Sequence, residues 1–128
     1  MLYAVCLCSK WHEATCLADK NSVTLKRTVM CLLAKIKRQF GADVIVIWLD
    51  NERGYSELFH VLKDLGIVVE RQAEYTEEQN SLSEQAGKMI IIRARAIRID
   101  GRLPIELSNE CCMVAVYLLN RTPVEALE

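Results

Sequence analysis

No stretch of this sequence approaches the ~18 consecutive apolar residues that a membrane-spanning helix needs. A segment such as Val44–Leu49 is only strand-length. No basic region of the kind that heads a signal peptide leads the chain, because Met1 runs straight into strand-forming residues. The six cysteines (Cys6, Cys8, Cys16, Cys31, Cys111 and Cys112) lack the paired spacing of a zinc site. Cys6 and Cys8 are one residue apart in a strand-like segment, and the only histidines are His12 and His60. The spacing also supplies no disulfide framework, which points to an intracellular protein. Net charge is only −1, so the chain as a whole does not attract nucleic acid, and any such binding needs a local basic face. Internal repeats, low-complexity tracts and linkers are missing as well.

What remains is one domain of 128 residues, 52% hydrophobic and 26% charged, long enough to bury a core. The cysteines lie in apolar segments and are expected to be core residues. Leu2–Cys8 and His12–Ala18 read as two strands joined by the tight Ser9-Lys10-Trp11 link. Asn21 or Ser22 can cap a helix on which Leu25, Val29, Leu32, Leu33, Ile36 and Phe40 recur at helical spacing, with Gly41 as its stop. Val44–Asp50 is apolar without alternation, as in a strand covered on both faces. A short helix over Ser56–Leu65 ends at Gly66, and Gly66–Ala73 forms the next strand. Glu74–Asn80 reads as a polar loop. A long helix follows to Asp100, its apolar face formed by Leu82, Ala86, Met89, Ile90, Ala94 and Ile97. Gly101 and Pro104 break it, and a last helix spans Ile105–Leu119, with Val114, Val116, Leu118 and Leu119 in its second half. The order β-β-α-β-α-β-α-α predicts a mixed α/β sheet with flanking helices.

Asp50 ends a buried strand, where α/β folds place their active sites. Glu84 lies in the first turns of the long helix, and positions 51–83 between them make one helix, one strand and one loop. That connection can bring both carboxylates to one sheet edge, where they would suit Mg²⁺. The bland alternative is a turn aspartate and a glutamate at a helix start. On the long helix Glu84, Lys88, Arg95 and Arg98 fall on one face, with Ile91 among them. Such a stripe suits a phosphate backbone. It also suits a solvated face with a Glu84–Lys88 pair.

Four blocks, in order, carry a resemblance. Tyr75-Thr76-Glu77-Glu78-Gln79-Asn80-Ser81-Leu82-Ser83-Glu84 resembles the YTPxQNGxAE signature of copia-type retrotransposon integrases. Ile47-Trp48-Leu49-Asp50-Asn51 resembles the strand and first residues of their DNGGEF motif, and Gly66-Ile67 their next strand opening. Leu103-Pro104 and Ala115-Val116-Tyr117-Leu118-Leu119-Asn120-Arg121-Thr122-Pro123 resemble the LP…AVYLLNRTP ending. The resemblance implies an RNase H-like fold and a strand-transferring enzyme that joins DNA ends with two divalent ions, Mg²⁺ or Mn²⁺. By position, Asp50 and Glu84 would be the second and third catalytic acids and metal ligands. Lys88 and Arg95 match basic positions on the family's catalytic helix and, with Arg98 of the same stripe, would meet nucleic acid, and Gln79 and Asn80 would belong to the active-site loop. DNA ends and target DNA are the implied partners, a homo-oligomer the implied assembly, and the nucleus the implied location.

The sequence departs from the pattern at Glu77, Ser81 and Gln85, where the family has Pro, Gly and Arg. The first catalytic aspartate is expected on a strand before Leu2–Cys8, and the sequence contains no match to it; Asp19 matches the loop before the first helix. The expectation is therefore a partial core over residues 1–122, truncated at its N-terminus so that the first, central strand is lacking, with 123–128 starting a following tail. Such a chain would be inactive alone. The alternatives are a non-enzymatic remnant or a domesticated interaction module.

Overall fold

The computed structural model describes residues 1–6, 9–49, 55–71 and 77–123, with residues 71 and 77–83 described through their backbone alone. The element order is β1 (Leu2–Val5), β2 (His12–Thr15), α1 (Ser22–Phe40), β3 (Val46–Leu49), α2 (Ser56–Asp64), β4 (Val68–Arg71), α3 (Glu77–Asp100), a 3₁₀ turn (Ile105–Leu107) and α4 (Ser108–Leu119). This is the expected order. Among the described residues the strands form two separate two-stranded sheets, antiparallel β1–β2 and parallel β3–β4. Two compact units result, Met1–Cys16 with Glu77–Glu128, and Leu17–Thr76. No described helix is long and apolar enough to cross a membrane.

In the first unit the hairpin pairs Leu2 with Thr15 and Val5 with His12. Its turn is closed by Cys6 N–H to Trp11 O at 2.8 Å and Lys10 N–H to Cys6 O at 2.9 Å. Lys10 sits there at φ 57°, a left-handed conformation that a two-sided tight link imposes at a cost of about 1 kcal/mol. The hairpin packs on α3 and α4. The core between them is Ala14, Ile90, Ala94, Cys111, Ala115, Val116 and Leu119, with Tyr3, Ile97, Leu103 and Cys112 against it. The small residues explain the close approach of α3 and α4: Ala86, Ile90 and Ala94 recur every four residues, so a narrow stripe of α3 is buried. Met89, expected on that face, is exposed because it lies about 100° around the helix from Ile90. On α4, Val116 and Leu119 are buried as expected, whereas Val114 and Leu118 are exposed, since the buried face is centred on Cys111 and Ala115.

The second unit holds the other two helices and the parallel strands. Asn21 caps α1, its side chain accepting from Val23 N–H at 2.9 Å, and Gly41 ends the helix at φ 62° with its N–H on Lys37 O. A side chain at that φ would be strained, which is why glycine stands there. Leu25 and Val29 are the buried positions of α1, and Leu58 and Leu62 those of α2. Phe40, expected on the apolar face, is exposed in the last turn of α1. In the parallel pair Trp48 lies opposite Glu70, and its indole N–H donates to that carboxylate.

Other boundaries and burials differ from expectation. β2 stops at Thr15 rather than Ala18, and β1 at Val5; Leu7 and Cys8 lie outside the described residues. Of the loop read over Glu74–Asn80, Glu77–Asn80 belong to α3, which gathers Glu77 and Glu78 into a first turn whose dipole favours them, and Glu74–Thr76 lie outside the described residues. The last helix opens as a 3₁₀ turn behind Pro104, whose missing N–H suits a helix start. Cys111 is buried and Cys112 half-buried, but Cys6, Cys16 and Cys31 are exposed. Cys6 sits at the hairpin turn and Cys16 past the end of β2. Cys31 lies about 200° around α1 from Val29.

Candidate nucleic-acid and metal site

The outer face of α3 bears the residues singled out in the sequence. Glu84, Lys88 and Arg95 are all exposed on it, so the helix brings one carboxylate and two cations into a row. Glu84 and Lys88 form no ion pair among the described residues, where the pair found is Lys37–Asp43. Arg98 differs from the other two cations. It is half-buried, and its Nη1 donates to Leu103 O at 3.3 Å, helping to close the chain after α3. Ile91 is 52% exposed within the same row. Next to it a shallow groove runs between α3 and α4, lined by Ile91, Arg95, Arg98, Ile105, Ser108 and Cys112.

Gln79 and Asn80 fall within α3 rather than in a loop, and their side chains lie outside the described residues. Asp50 follows β3 directly and also lies outside them. It belongs to the second unit and Glu84 to the first. Among the described residues no cluster of three or more His, Cys, Asp and Glu could hold a metal ion. Of the expected donors, Glu84 is an exposed hard oxygen ligand, the type that Mg²⁺ takes.

Two features escaped sequence reasoning. Asn120, at the end of α4, accepts from His12 N–H through Oδ1 and donates to His12 O through Nδ2, both at 2.8 Å. It fastens the start of β2 to the end of a helix 108 residues away. Nothing in local spacing announces this, although Asn120 sits inside the LLNRTP block. The second feature is buried His12, whose Nδ1 meets the Tyr3 hydroxyl at 2.7 Å with the rings stacked. Burial, and secondarily the positive charge of Arg93, holds His12 below its ordinary pKa. Burial pushes Tyr3 up to about 12. The Tyr3 hydroxyl therefore keeps its proton, and which partner donates follows the His12 tautomer.

This pair sets a pH dependence. The unfolded chain binds a proton at His12 near the ordinary value of ~6.5, before the folded chain does. Stability should be flat above that pH and fall as pH drops from there to the depressed folded value, where it levels again. Urea midpoints across pH 7.5 to 4.5, with the His12 ring signal followed by NMR, test this. A folded His12 that titrates at or above the ordinary value would refute it.

No protein-family model matches the sequence. Among solved structures, the chain is similar to the catalytic core domain of BIV integrase, with TM-score 0.74 and 18% identity over 95% of this chain and 75% of that one. It is also similar to a chain of the simian T-cell lymphotropic virus intasome solved with PP2A regulatory subunit B56 gamma, with TM-score 0.69 and 20% identity over 91% of this chain. It spans 40% of that intasome chain. The mixed α/β architecture of these residues is the fold of a retroviral integrase catalytic core.

Proposed function

We propose that this chain is part of the catalytic core of a copia-type retrotransposon integrase, acting in the nucleus on DNA ends and target DNA within an oligomer. Its integrase-core fold and the four sequence blocks in family order support this reading. The observation that carries it is the exposed row Glu84, Lys88 and Arg95 on α3. Glu84 would offer a carboxylate to a divalent ion, the role that the resemblance also gives Asp50, and Lys88 and Arg95 would run along the phosphate backbone with Arg98; Gln79 and Asn80 match the family's active-site loop. Mg²⁺ or Mn²⁺ bound there would supply electrophilic activation of a phosphate oxygen. The chain's own part is to orient a DNA end along α3 and to present the carboxylates. Of the three acids such a site uses, this chain carries the second and the third.

The test is anisotropy titration of a labelled DNA end with the purified chain, followed by a strand-transfer assay with Mg²⁺ or Mn²⁺. Binding should be insensitive to sequence, with Kd of roughly 10⁻⁴–10⁻⁶ M near physiological salt. Lys88 and Arg95 as the exposed cations give an expected log–log salt slope of about −2, or nearer −3 if Arg98 joins. Replacing Lys88, Arg95 and Arg98 with Gln should remove binding, and no strand transfer should occur. Unchanged binding in the triple variant would overturn the reading, whereas metal-dependent joining that vanishes in Asp50→Asn would overturn only the expected inactivity of this chain and point to a substitute for the first acid.

A second reading, an interaction module, is favoured by one observation. Ile92 and Ile99 stand 68% and 62% exposed on the same helix, and clustered exposed apolar residues mark contact surfaces. Absence of DNA binding even at low salt would favour it.

A further inference from the structure

The first unit places two cysteines level with each other along α4. The Asn120 side chain pins both backbone groups of His12, so β2 begins at the C-terminal end of α4. Ala14 is buried in one cluster with Cys111 and Ala115, so β2 then runs back along the helix toward its start. From His12, the strand to Thr15 and one extended step beyond it advance ~13 Å to Cys16. From Asn120, eight helix residues retreat ~12 Å to Cys112. Strand alternation completes the match. His12 and Ala14 are the buried positions of β2, and Cys16, one residue past its end, continues their parity. Cys16 is exposed and Cys112 half-buried, so a small reagent reaches the first thiol and the second lies behind it.

We propose that Cys16 and Cys112 are a redox-responsive thiol pair, closing into a disulfide between β2 and α4 when a low-molecular-weight disulfide of the glutathione class is present. The exposed Cys16 thiolate attacks the reagent, forming a mixed disulfide and releasing one reduced thiol. Cys112 then loses its proton to solvent, attacks the Cys16 sulfur and expels the second reduced thiol. The protein gives up two electrons and two protons, and the reagent's S–S bond is replaced by one S–S bond in the protein. Burial, with Cys16 and then Cys111 nearby, holds the Cys112 thiol above its ordinary pKa, so closure is the slower step and quickens as pH rises. The bond would close a loop of about a hundred residues, and long loops gain most from such a link.

The test is incubation of the whole chain with oxidised glutathione at pH 7 and pH 9, read by intact mass, peptide mapping and thermal melting. The expected product is a monomer about 2 Da lighter, with Cys16 joined to Cys112, and a Tm about 10 °C higher that dithiothreitol reverses. Cys112→Ala should stop at glutathione attached to Cys16. Cys16→Ser, a change at an exposed position that leaves the fold intact, should form no internal disulfide. A wild-type chain that stops at the mixed disulfide, a bond from Cys16 to any cysteine other than Cys112, or an internal disulfide surviving in Cys16→Ser would each overturn the proposal.

Discussion

Ile90→Ala should cost the protein about 4 kcal/mol, in the upper half of the range for such truncations. Ile90 is fully buried, and its neighbours in the core include Ala14, Ala94 and Ala115. Alanines have no side-chain freedom with which to fill the space left behind, so the cavity persists and its cost adds to the lost burial. A domain's whole margin is only ~5–15 kcal/mol, so the variant should sit near its unfolding transition at 37 °C. Ile92→Ala is the control. Ile92 lies two residues away on the same helix but is 68% exposed, and its loss should stay within about 0.5 kcal/mol. Urea denaturation of both variants gives the comparison. Equal losses at the two positions would mean that the α3 face assigned to the core is wrong.

Asn120→Ala should cost about 2–3 kcal/mol while deleting no core side chain. Two hydrogen bonds to His12 disappear together, and each partly buried backbone group left without a partner carries a penalty of roughly 1 kcal/mol or more. Asn120→Asp separates the two bonds. Its carboxylate still accepts from His12 N–H but faces His12 O with no hydrogen to give, so it should be no more stable than the alanine variant near neutral pH. It should recover in part on acidification, when the protonated acid becomes a donor, although His12 protonation works against it below the ordinary histidine pKa. Amide exchange supplies the local readout: His12 N–H should lose protection in Asn120→Ala before the amides of α4 do. Protection unchanged at His12 would show that the strand is held by pairing with β1 alone.

Much of the fold was legible because its signals are local. The span of α1 follows from a cap at Asn21 and a left-handed stop at Gly41, each satisfied by residues within a few positions. The position of β3 follows from an apolar run, and Ala86, Ile90 and Ala94 from helical period. The row of Glu84, Lys88 and Arg95 was legible for the same reason, since the geometry of one helix decides which residues share a face. Period does not say how wide the buried stripe is. Met89, Val114 and Leu118 look as apolar as their neighbours and are exposed because small residues let α3 and α4 meet along a narrow seam.

The sequence by itself determined the element order, the caps, and the alignment of charge along α3, because each depends on contacts only a few residues long. Tertiary structure alone decided the rest. Which cysteines are covered depends on where strands and helices end: Cys16 lies just past β2 and Cys31 on the outer side of α1, while Cys111 enters the core. The lowered pKa of His12 depends on burial and on Arg93, 81 positions along the chain. The role of Asn120 depends on His12, 108 positions away. These are pairings between residues distant in sequence, and no local period or propensity encodes them, because their energy exists only once the chain has folded and water has been excluded from between the partners.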